Sequence, residues 1–344
     1  MTAVAKSPRW KNRPEGSNWG DFGPDDQIGR LNLLTPEKVL QGVAEVRTGQ
    51  KFCLSLPLDY PGGMVLHSRR RPPQLRPVLH GEEPFFNYAL NQWDKRYTDV
   101  ACDDAALIHL QYSTQWDALA HIGQLFDADG DGVPEKVFYN GYRGGSDILP
   151  SNPEAPDASA ARSLGIETMA EACIQGRGVM VDLHAHFGHA EKFIGYDDLM
   201  RVFEADRVEV EAGDMMCFHT GFAQLLIDAK GKPTPDMHHV CAALDGRDKK
   251  LLRWISDSNV VAMIADNFGV EKIPGRDCSD ASHAFVPMHE HCLFKLGIPL
   301  GELWYLTPLA NWLREHKRYR FLLTAPPLRL PGAVGSPANA IGTV

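Results

Sequence analysis

Residues 107–121 read LIHLQYSTQWDALAH, and the pattern of polar side chains changes in the middle of this stretch. From residue 108 to residue 113 apolar and polar side chains alternate, which predicts a strand with one apolar face and one polar face. Asp117 and His121 are four residues apart, the separation that places two side chains on one face of a helix. We therefore expect four polar side chains to converge where a strand gives way to a helix: Gln111, Gln115, Asp117 and His121.

The spacing of these residues resembles the signature H-x-G-T-H-x-D-x-P-x-H of the cyclase family of metal-dependent hydrolases, which includes bacterial kynurenine formamidase and isatin hydrolase. Thr114, Asp117 and His121 match the signature directly. Gln111 and Gln115 stand where that family has two metal-ligand histidines. The family resemblance implies a divalent metal site. The two glutamines are the main difference between this chain and the family signature.

A second block of the chain resembles the other signature of the family, in which a histidine begins a helix and a glutamate follows on the next strand. Residues 286–302 contain His289 and Glu302 in this order. We prefer His289 as the site histidine because it follows a proline by two positions, as in the family. His291 is the second choice, since the family spacing from Glu302 falls between the two.

The resemblance implies that a metal ion would be bound within the set Gln111, Gln115, Asp117, His121, His289 and Glu302. Glutamine binds metals through an amide oxygen, which is a harder and weaker ligand than imidazole. Such a site favours Mn or Mg over Zn, or binds no ion at all. The family resemblance also makes Asp117, His121 and Glu302 the predicted catalytic residues.

The predicted substrate-binding residues are Gln111, Gln115, His184, His186 and His219. His184 and His186 follow a buried strand, residues 179–183, and His219 closes the strand predicted for residues 215–220. An H-x-H pair after a strand also occurs in amidohydrolase barrels, but no regular alternation of strands and helices surrounds it here. The resemblance implies that His184 and His186 lie near the mouth of the pocket, with ordinary surface residues as the alternative. His219 is expected either in the pocket or in the core.

One further acidic motif, FDADGDG at residues 126–132, opens like a calcium-binding loop. Position twelve of such a loop would be Phe138, so the bidentate glutamate is missing. A turn stabilised by aspartate side chains and glycines is the favoured interpretation, and calcium binding is the alternative.

The resemblance also implies the fold and the assembly. We expect an α/β fold with a mixed-strand, barrel-like sheet and helices packed outside it, the swivelling β/β/α fold of kynurenine formamidase. A single domain would span residues 1–344, with residues 1–30 as an N-terminal arm that reaches a neighbour in a homodimer or homotetramer. Locally, Thr35 and Pro36 predict the start of an amphipathic helix, with Thr35 as its N-cap.

Composition narrows the partners and the compartment. The chain has 344 residues, 44% of them hydrophobic, and a formal net charge of −9. This charge argues against nucleic acid or an anionic membrane as a partner, which leaves a small molecule as the expected ligand. The seven cysteines form no C-x-x-C pair and the N-terminus has no apolar core, so we expect a cytoplasmic protein with reduced thiols.

Three functions are compatible with these residues. The first is a metal-dependent hydrolase that opens an amide, imide or lactone of a small, ring-bearing molecule through water activated by a divalent ion. The second is a metal-independent cyclase, dehydratase or lactone hydrolase on the same fold, with His121 and Asp117 as a general acid–base pair. The third is a pseudoenzyme or binding protein that keeps the pocket without the chemistry.

The first testable prediction concerns His121, whose imidazole normally titrates near neutral pH and so suits proton transfer. We expect His121→Ala to fold normally and to lose at least about a hundredfold in kcat. Turnover and melting temperature must be measured on the same variant. A destabilised but fully active His121→Ala would assign this residue a structural role only.

Overall fold

The computed structural model describes residues 9–151, 154 and 160–344, and nine of its strands form one mixed sheet. In chain order these strands are β1 (Lys51–Cys53), β2 (Gln115–Asp117), β3 (Gln175–Asp182), β4 (Met215–His219), β5 (Ala262–Ala265), β6 (Leu300–Glu302), β7 (Arg320–Thr324), β8 (Gly335–Pro337) and β9 (Ile341–Thr343). Across the sheet they follow the order β1-β9-β7-β3-β4-β5-β6-β2-β8. The four central strands, β3 to β6, are parallel, and the other pairings are antiparallel.

Helices cover the sheet, so the mixed α/β fold predicted from the sequence is confirmed as a curled, nine-stranded half-barrel with helices packed around it. They are α1 (Pro36–Val43), α2 (Ile166–Glu171), α3 (Leu183–Phe187), α4 (Tyr196–Asp206), α5 (Phe222–Asp228), α6 (Lys249–Ser258), α7 (Pro287–His289), a π-helix (Glu290–Leu296) that continues α7, and α8 (Thr307–Glu315). As predicted, Thr35 caps α1, because its side chain accepts a hydrogen bond from the N–H of Lys38. Within the described residues, no helix is long and apolar enough to cross a membrane.

Each face of the sheet has its own apolar core, because side chains alternate along every strand. One core contains Val181, Phe218, Ala265 and Leu300. The other contains Trp116, Met180, Cys217 and Ile264. In the pairing of β6 with β2, Leu300 lies opposite Asp117 and Glu302 lies opposite Gln115. The carboxylates of Asp117 and Glu302 therefore point to the same face of the sheet, the face of the first core.

The stretch 107–121 folds differently from the local prediction. The strand lies at Gln115–Asp117 and not at residues 108–113, which form turns and irregular backbone. No helix follows Asp117; the chain turns instead, and the N–H of His121 bonds to the carbonyl of Ala118. Tertiary pairing of β2 with β6 and β8 outweighs the short-range pattern, because a strand of three residues gains its stability from its neighbours.

The long segment at residues 59–107 contains small antiparallel ladders. Its ladders pair Gln74–Pro77 with Asp104–Leu107, Leu79–His80 with Glu83–Pro84, and Tyr88–Ala89 with Val100–Ala101. Phe85 and Trp93 stack with ring centroids 5.8 Å apart, and Tyr88 joins them. The two ends of this segment connect to the stretches that carry the functional site described below.

The described part of the N-terminal arm packs on its own chain. Trp19 is buried, and its indole N–H donates to the carbonyl of Phe294 at 2.7 Å. The side-chain amide of Asn18 donates to the carbonyl of Leu296 at 2.8 Å. Because both acceptors belong to the π-helix, the arm holds in place the helix that follows His289.

A buried ion cluster joins α1 to the sheet. The carboxylate of Asp214 is fully buried and accepts hydrogen bonds from Arg177 at 2.8 Å and from Lys38 at 3.1 Å. It also accepts the backbone N–H of Glu211 at 2.8 Å. Removal of Asp214 would leave Arg177 and Lys38, both buried, paired only with the half-exposed carboxylate of Glu211.

We therefore expect Asp214→Ala to lower the free energy of unfolding by about 3–5 kcal/mol. Urea denaturation followed by circular dichroism measures this change. The matched control is Asp257→Ala, which removes an exposed carboxylate that pairs with Arg253 within α6. The control should change the free energy by less than about 0.5 kcal/mol, and equal effects of the two variants would contradict the assigned role of Asp214.

Candidate metal and substrate site

Three ionisable side chains meet on the first-core face of the sheet. Asp117 ends β2, Glu302 ends β6, and His289 ends α7. One ligand atom from each lies within 4.8 Å of the other two, and all three residues are buried. Two carboxylates and an imidazole at such separations can hold a divalent cation.

Gln115 lies between the two carboxylates. Its side-chain N–H donates to Glu302 Oε2 at 3.0 Å and contacts Asp117 Oδ1 at 3.3 Å. The remaining oxygens, Asp117 Oδ2 and Gln115 Oε1, are buried and have no hydrogen-bond partner among the described residues. Buried acceptors without donors are costly, so the site is suited to a ligand that supplies positive charge or hydrogen-bond donors.

Glu271 orients His289 from the side opposite Glu302. Its Oε1 atom lies 2.8 Å from His289 Nδ1, and its carboxylate also accepts the backbone N–H groups of Met288 and His289. His289 Nε2 is thereby directed at Glu302 Oε1, 3.1 Å away. A histidine whose second nitrogen is held by a carboxylate is a common arrangement at metal sites. The sequence analysis missed Glu271, because an isolated glutamate in a loop carries no local signal.

The pKa values reflect burial and mutual charge. Burial, and then the charge of Glu302, raise the pKa of Asp117 to about 8. Burial alone would lower the pKa of His289, but hydrogen bonds to Glu271 and Glu302 outweigh it and raise this pKa to about 10. Burial would likewise raise the pKa of Glu302, but the hydrogen bond and charge of His289 prevail and lower it.

His121 and Gln111 lie beside this group. His121 Nε2 is 3.8 Å from Asp117 Oδ1, and burial together with the charge of His289 lowers the pKa of His121 to about 3. Its imidazole is therefore neutral at pH 7. The Gln111 amide packs against Gly335, the residue paired with Asp117, and a Cβ atom at Gly335 would lie 2.4 Å from Gln111 Nε2.

Between the two histidines considered from the sequence, the structure brings His289 to the site. His291 points away, and its Nε2 atom lies 3.0 Å from the hydroxyl of Ser256 on α6. His289 lies one residue further from Glu302 than the family spacing gives, and the intervening π-helix winds more residues into each turn than an α-helix.

The Cyclase family model matches residues 54–272, which is more than half of the chain. The chain belongs to the Cyclase family. The resemblance seen in its motifs is therefore confirmed, although Glu302 and His289 lie beyond the matched range. No curated protein matches the sequence.

Solved structures agree with this family assignment. A crystal structure described as a novel cyclase is 29% identical, with a TM-score of 0.74, and the alignment covers 95% of this chain and 99% of that one. Isatin hydrolase A from Ralstonia solanacearum is 16% identical with a TM-score of 0.54, covering 90% and 97% of the two chains. Isatin hydrolase A from Labrenzia aggregata is 12% identical with a TM-score of 0.54, covering 89% and 97%. The two isatin hydrolases share the fold of this cyclase-family chain.

Three predicted substrate-binding histidines lie elsewhere in this cyclase-family chain. His219 follows Phe218, which shares its sheet face with Glu302, so His219 points to the opposite face. There its Nδ1 atom bonds to Asp182 at 2.7 Å and its Nε2 atom to Thr307 at 3.0 Å.

His184 packs over His219 with ring centroids 5.5 Å apart. His186 is exposed and pairs with Asp206 at 2.9 Å. The structure does not bring these histidines to Asp117, because they occupy the other face of the sheet or the surface.

The acidic loop at residues 126–132 forms the turn favoured by the sequence analysis. Asp127 accepts the backbone N–H groups of Gly130, Asp131 and Gly132. Asp127, Asp129 and Glu135 lie close enough together to hold a cation, but Glu135 pairs with Arg143 at 2.9 Å. The Asp127 carboxylate already accepts hydrogen bonds from the backbone. The exposed acidic loop therefore serves as a control for the buried group of Asp117, His289 and Glu302.

The buried site should therefore bind Mn²⁺ through its carboxylates. We expect Asp117→Asn and Glu302→Gln each to weaken Mn²⁺ binding at least about a hundredfold, since even outer partners of a metal site contribute about 10–100-fold. Isothermal titration calorimetry measures this affinity. Asp127→Asn is the control and should leave it unchanged. If the control lowers the affinity and the two site variants do not, the ion binds at the exposed loop.

Proposed function

We propose that this chain is a hydrolase that opens an amide, imide or lactone bond of a small, ring-bearing molecule with a divalent cation held by Asp117, His289 and Glu302. The observation that carries this proposal is the approach of their ligand atoms to within 4.8 Å of one another. Membership of the Cyclase family supports it. The two isatin hydrolases of the same fold act, by name, on isatin, a ring compound with a cyclic amide.

The donor chemistry of the site fits a cation. Asp117 Oδ2 is a buried acceptor with no hydrogen-bond partner in the described part of the chain, and Glu271 holds His289 with its Nε2 atom directed toward Glu302. The two carboxylates and the imidazole supply mainly oxygen ligands. Such a set prefers Mn²⁺ or Mg²⁺ to Zn²⁺, for which the cyclase family's histidines would be better ligands.

A divalent cation bound there would polarise the substrate carbonyl and make a water molecule more acidic. The residues of the chain supply the remaining functions. His121, 3.8 Å from Asp117, is neutral and would accept a hydrogen bond from the attacking water and orient it; its lowered pKa makes it a weaker base than the near-neutral imidazole expected from the sequence. Gln115 keeps Glu302 and Asp117 in fixed orientations through its N–H groups.

A second function, hydrolysis or ring closure without a metal, is favoured by one specific observation. The Gln115 N–H group occupies the position between the carboxylates and donates to Glu302. At the same time the raised pKa of Asp117, caused by burial and by the charge of Glu302, keeps a proton on Asp117 at pH 7. Asp117 would then be a general acid and His121 a general base.

Hydrolysis of three small cyclic substrates in the presence and absence of a chelator tests both functions. We expect wild-type protein to open at least one of isatin, phthalimide and a benzo-fused lactone. Removal of divalent ions should lower kcat/KM at least about a hundredfold, because polarisation by a metal ion lowers the barrier by several kcal/mol. Added Mn²⁺ should restore the rate, and ring opening is followed by ultraviolet absorbance.

Asp117→Asn separates the two functions, and Asp127→Asn is the control for nonspecific loss of a carboxylate. A rate that survives the chelator but is lost in Asp117→Asn would establish the metal-free mechanism. Absence of turnover on all three substrates with Mn²⁺ bound would contradict hydrolysis of this substrate class.

A further inference from the structure

Arg70 lies next to the candidate site although no local pattern marks it as a site residue. Its Nη1 atom donates to the carbonyl of Gln111 at 2.6 Å. Gln111 in turn packs against Gly335, which pairs with Asp117 in the sheet. The guanidinium is thus bonded to the residue whose side chain lies beside the strand partner of Asp117.

The chain before Arg70 is fixed to the stretch that leads into the site. The hydroxyl of Thr114 accepts the N–H of Leu56 at 2.8 Å, and the hydroxyl of Ser113 donates to the carbonyl of Pro57 at 3.1 Å. Tyr112 bonds through its hydroxyl to the backbone of Gly62 and of Gly63. These hydrogen bonds fix residues 56–63, which precede Arg70, to residues 112–114, which precede Asp117.

In the part of the chain that the structure describes, the guanidinium of Arg70 forms no ion pair. Among the described residues no carboxylate lies within 4 Å of its guanidinium, and the side chain is half-buried. Its positive charge acts on Asp117, His121 and Glu302. A guanidinium beside a cation site weakens cation binding through repulsion unless an anion lies between them. Planar, two-pronged recognition of a carboxylate is the chemistry for which arginine is best suited.

An aromatic wall adjoins the same space. Leu303, the residue after Glu302, donates its N–H to the carbonyl of Asn267 at 2.9 Å, which places Phe268 next to the end of β6. His67, three residues before Arg70, packs edge-on to Phe268 with ring centroids 6.3 Å apart. Phe222 contacts Phe268 at 5.5 Å. An apolar ring could rest here with a charged substituent directed at Arg70.

We propose that Arg70 is the specificity-determining residue of this site and that the substrate is a small aromatic molecule carrying a carboxylate separate from the bond that is opened. The inference rests on the proposed function only in treating Asp117, His289 and Glu302 as the reacting end of the pocket. Arg70 binds the carboxylate, the wall around Phe268 holds the ring, and the scissile bond lies at the acidic group.

Binding of benzoate and benzamide tests the proposal without turnover. The two probes have the same ring and nearly the same size, but only benzoate is charged. Ligand-observed NMR in EDTA measures both affinities, so that no metal ion can bind the carboxylate. We expect wild-type protein to bind benzoate at least about tenfold more tightly than benzamide, a difference of about 1.4 kcal/mol.

Arg70→Gln should remove this preference, and Arg70→Lys should restore part of it because the charge returns without the planar fork. Arg71→Gln is the matched control, since Arg71 is the exposed neighbour and should leave the preference intact. The melting temperatures of the variants establish that each is folded. Equal affinity of the wild type for both probes, benzoate binding unaffected by Arg70→Gln, or no benzoate binding would each overturn the proposal.

The outcome is independent of whether the proposed hydrolysis is right. Charge-selective binding that depends on Arg70, in a protein without turnover or Mn²⁺ affinity, would support this inference and contradict the hydrolase. Turnover that is lost in chelator, together with benzoate binding that is unchanged in Arg70→Gln, would support the hydrolase and contradict this inference.

Discussion

Two carboxylates, those of Asp117 and Glu302, are buried together with ligand atoms within 4.8 Å of each other and of His289. Like charges at such distances in a site removed from water cannot both remain ionised without compensation. The surrounding residues supply that compensation. His289 bonds to Glu302, Gln115 donates to Glu302 and to Asp117, and burial together with the charge of Glu302 raises the pKa of Asp117. Most features of the site follow from this concentration of acidic groups.

The compensation requires parts of the chain that are far apart in sequence. The pairing of β6 with β2 places Glu302 opposite Gln115, and β8 completes the other side of β2. Glu271 fixes the imidazole of His289, while Trp19 and Asn18 of the N-terminal arm hold the π-helix that follows it. A change in any of these contacts would alter the distances among the three ligand residues without touching them directly.

The sheet also divides the polar groups of the chain into two sets. Asp117 and Glu302 lie on one face, whereas Asp182 and His219 form a hydrogen-bonded pair on the other face and reach Thr307 at the start of α8. This hydrogen-bond network joins β3, β4 and α8. It accounts for the burial of His219 without a role in substrate binding. Arg70 belongs to the first set, because its guanidinium donates a hydrogen bond to the carbonyl of Gln111. Its positive charge complements the acidic group of Asp117 and Glu302.

The sequence by itself determined the α/β class, the Cyclase family and most of the candidate site. The spacing from Gln111 to His121 and the later order of His289 and Glu302 identified residues that the structure gathers, because motif spacing reflects how strand ends and turns meet around a ligand. Only the tertiary structure decided which of His289 and His291 enters the site, since a π-helix shifts the count of residues per turn. Only the tertiary structure revealed Glu271 and the position of Arg70, which contact residues 18 and 41 positions away. It likewise separated His219 from Asp117 and replaced the predicted helix after Asp117 with a turn. Face parity across a sheet and long-range hydrogen bonds depend on how strands are paired, and local sequence patterns carry no information about that pairing.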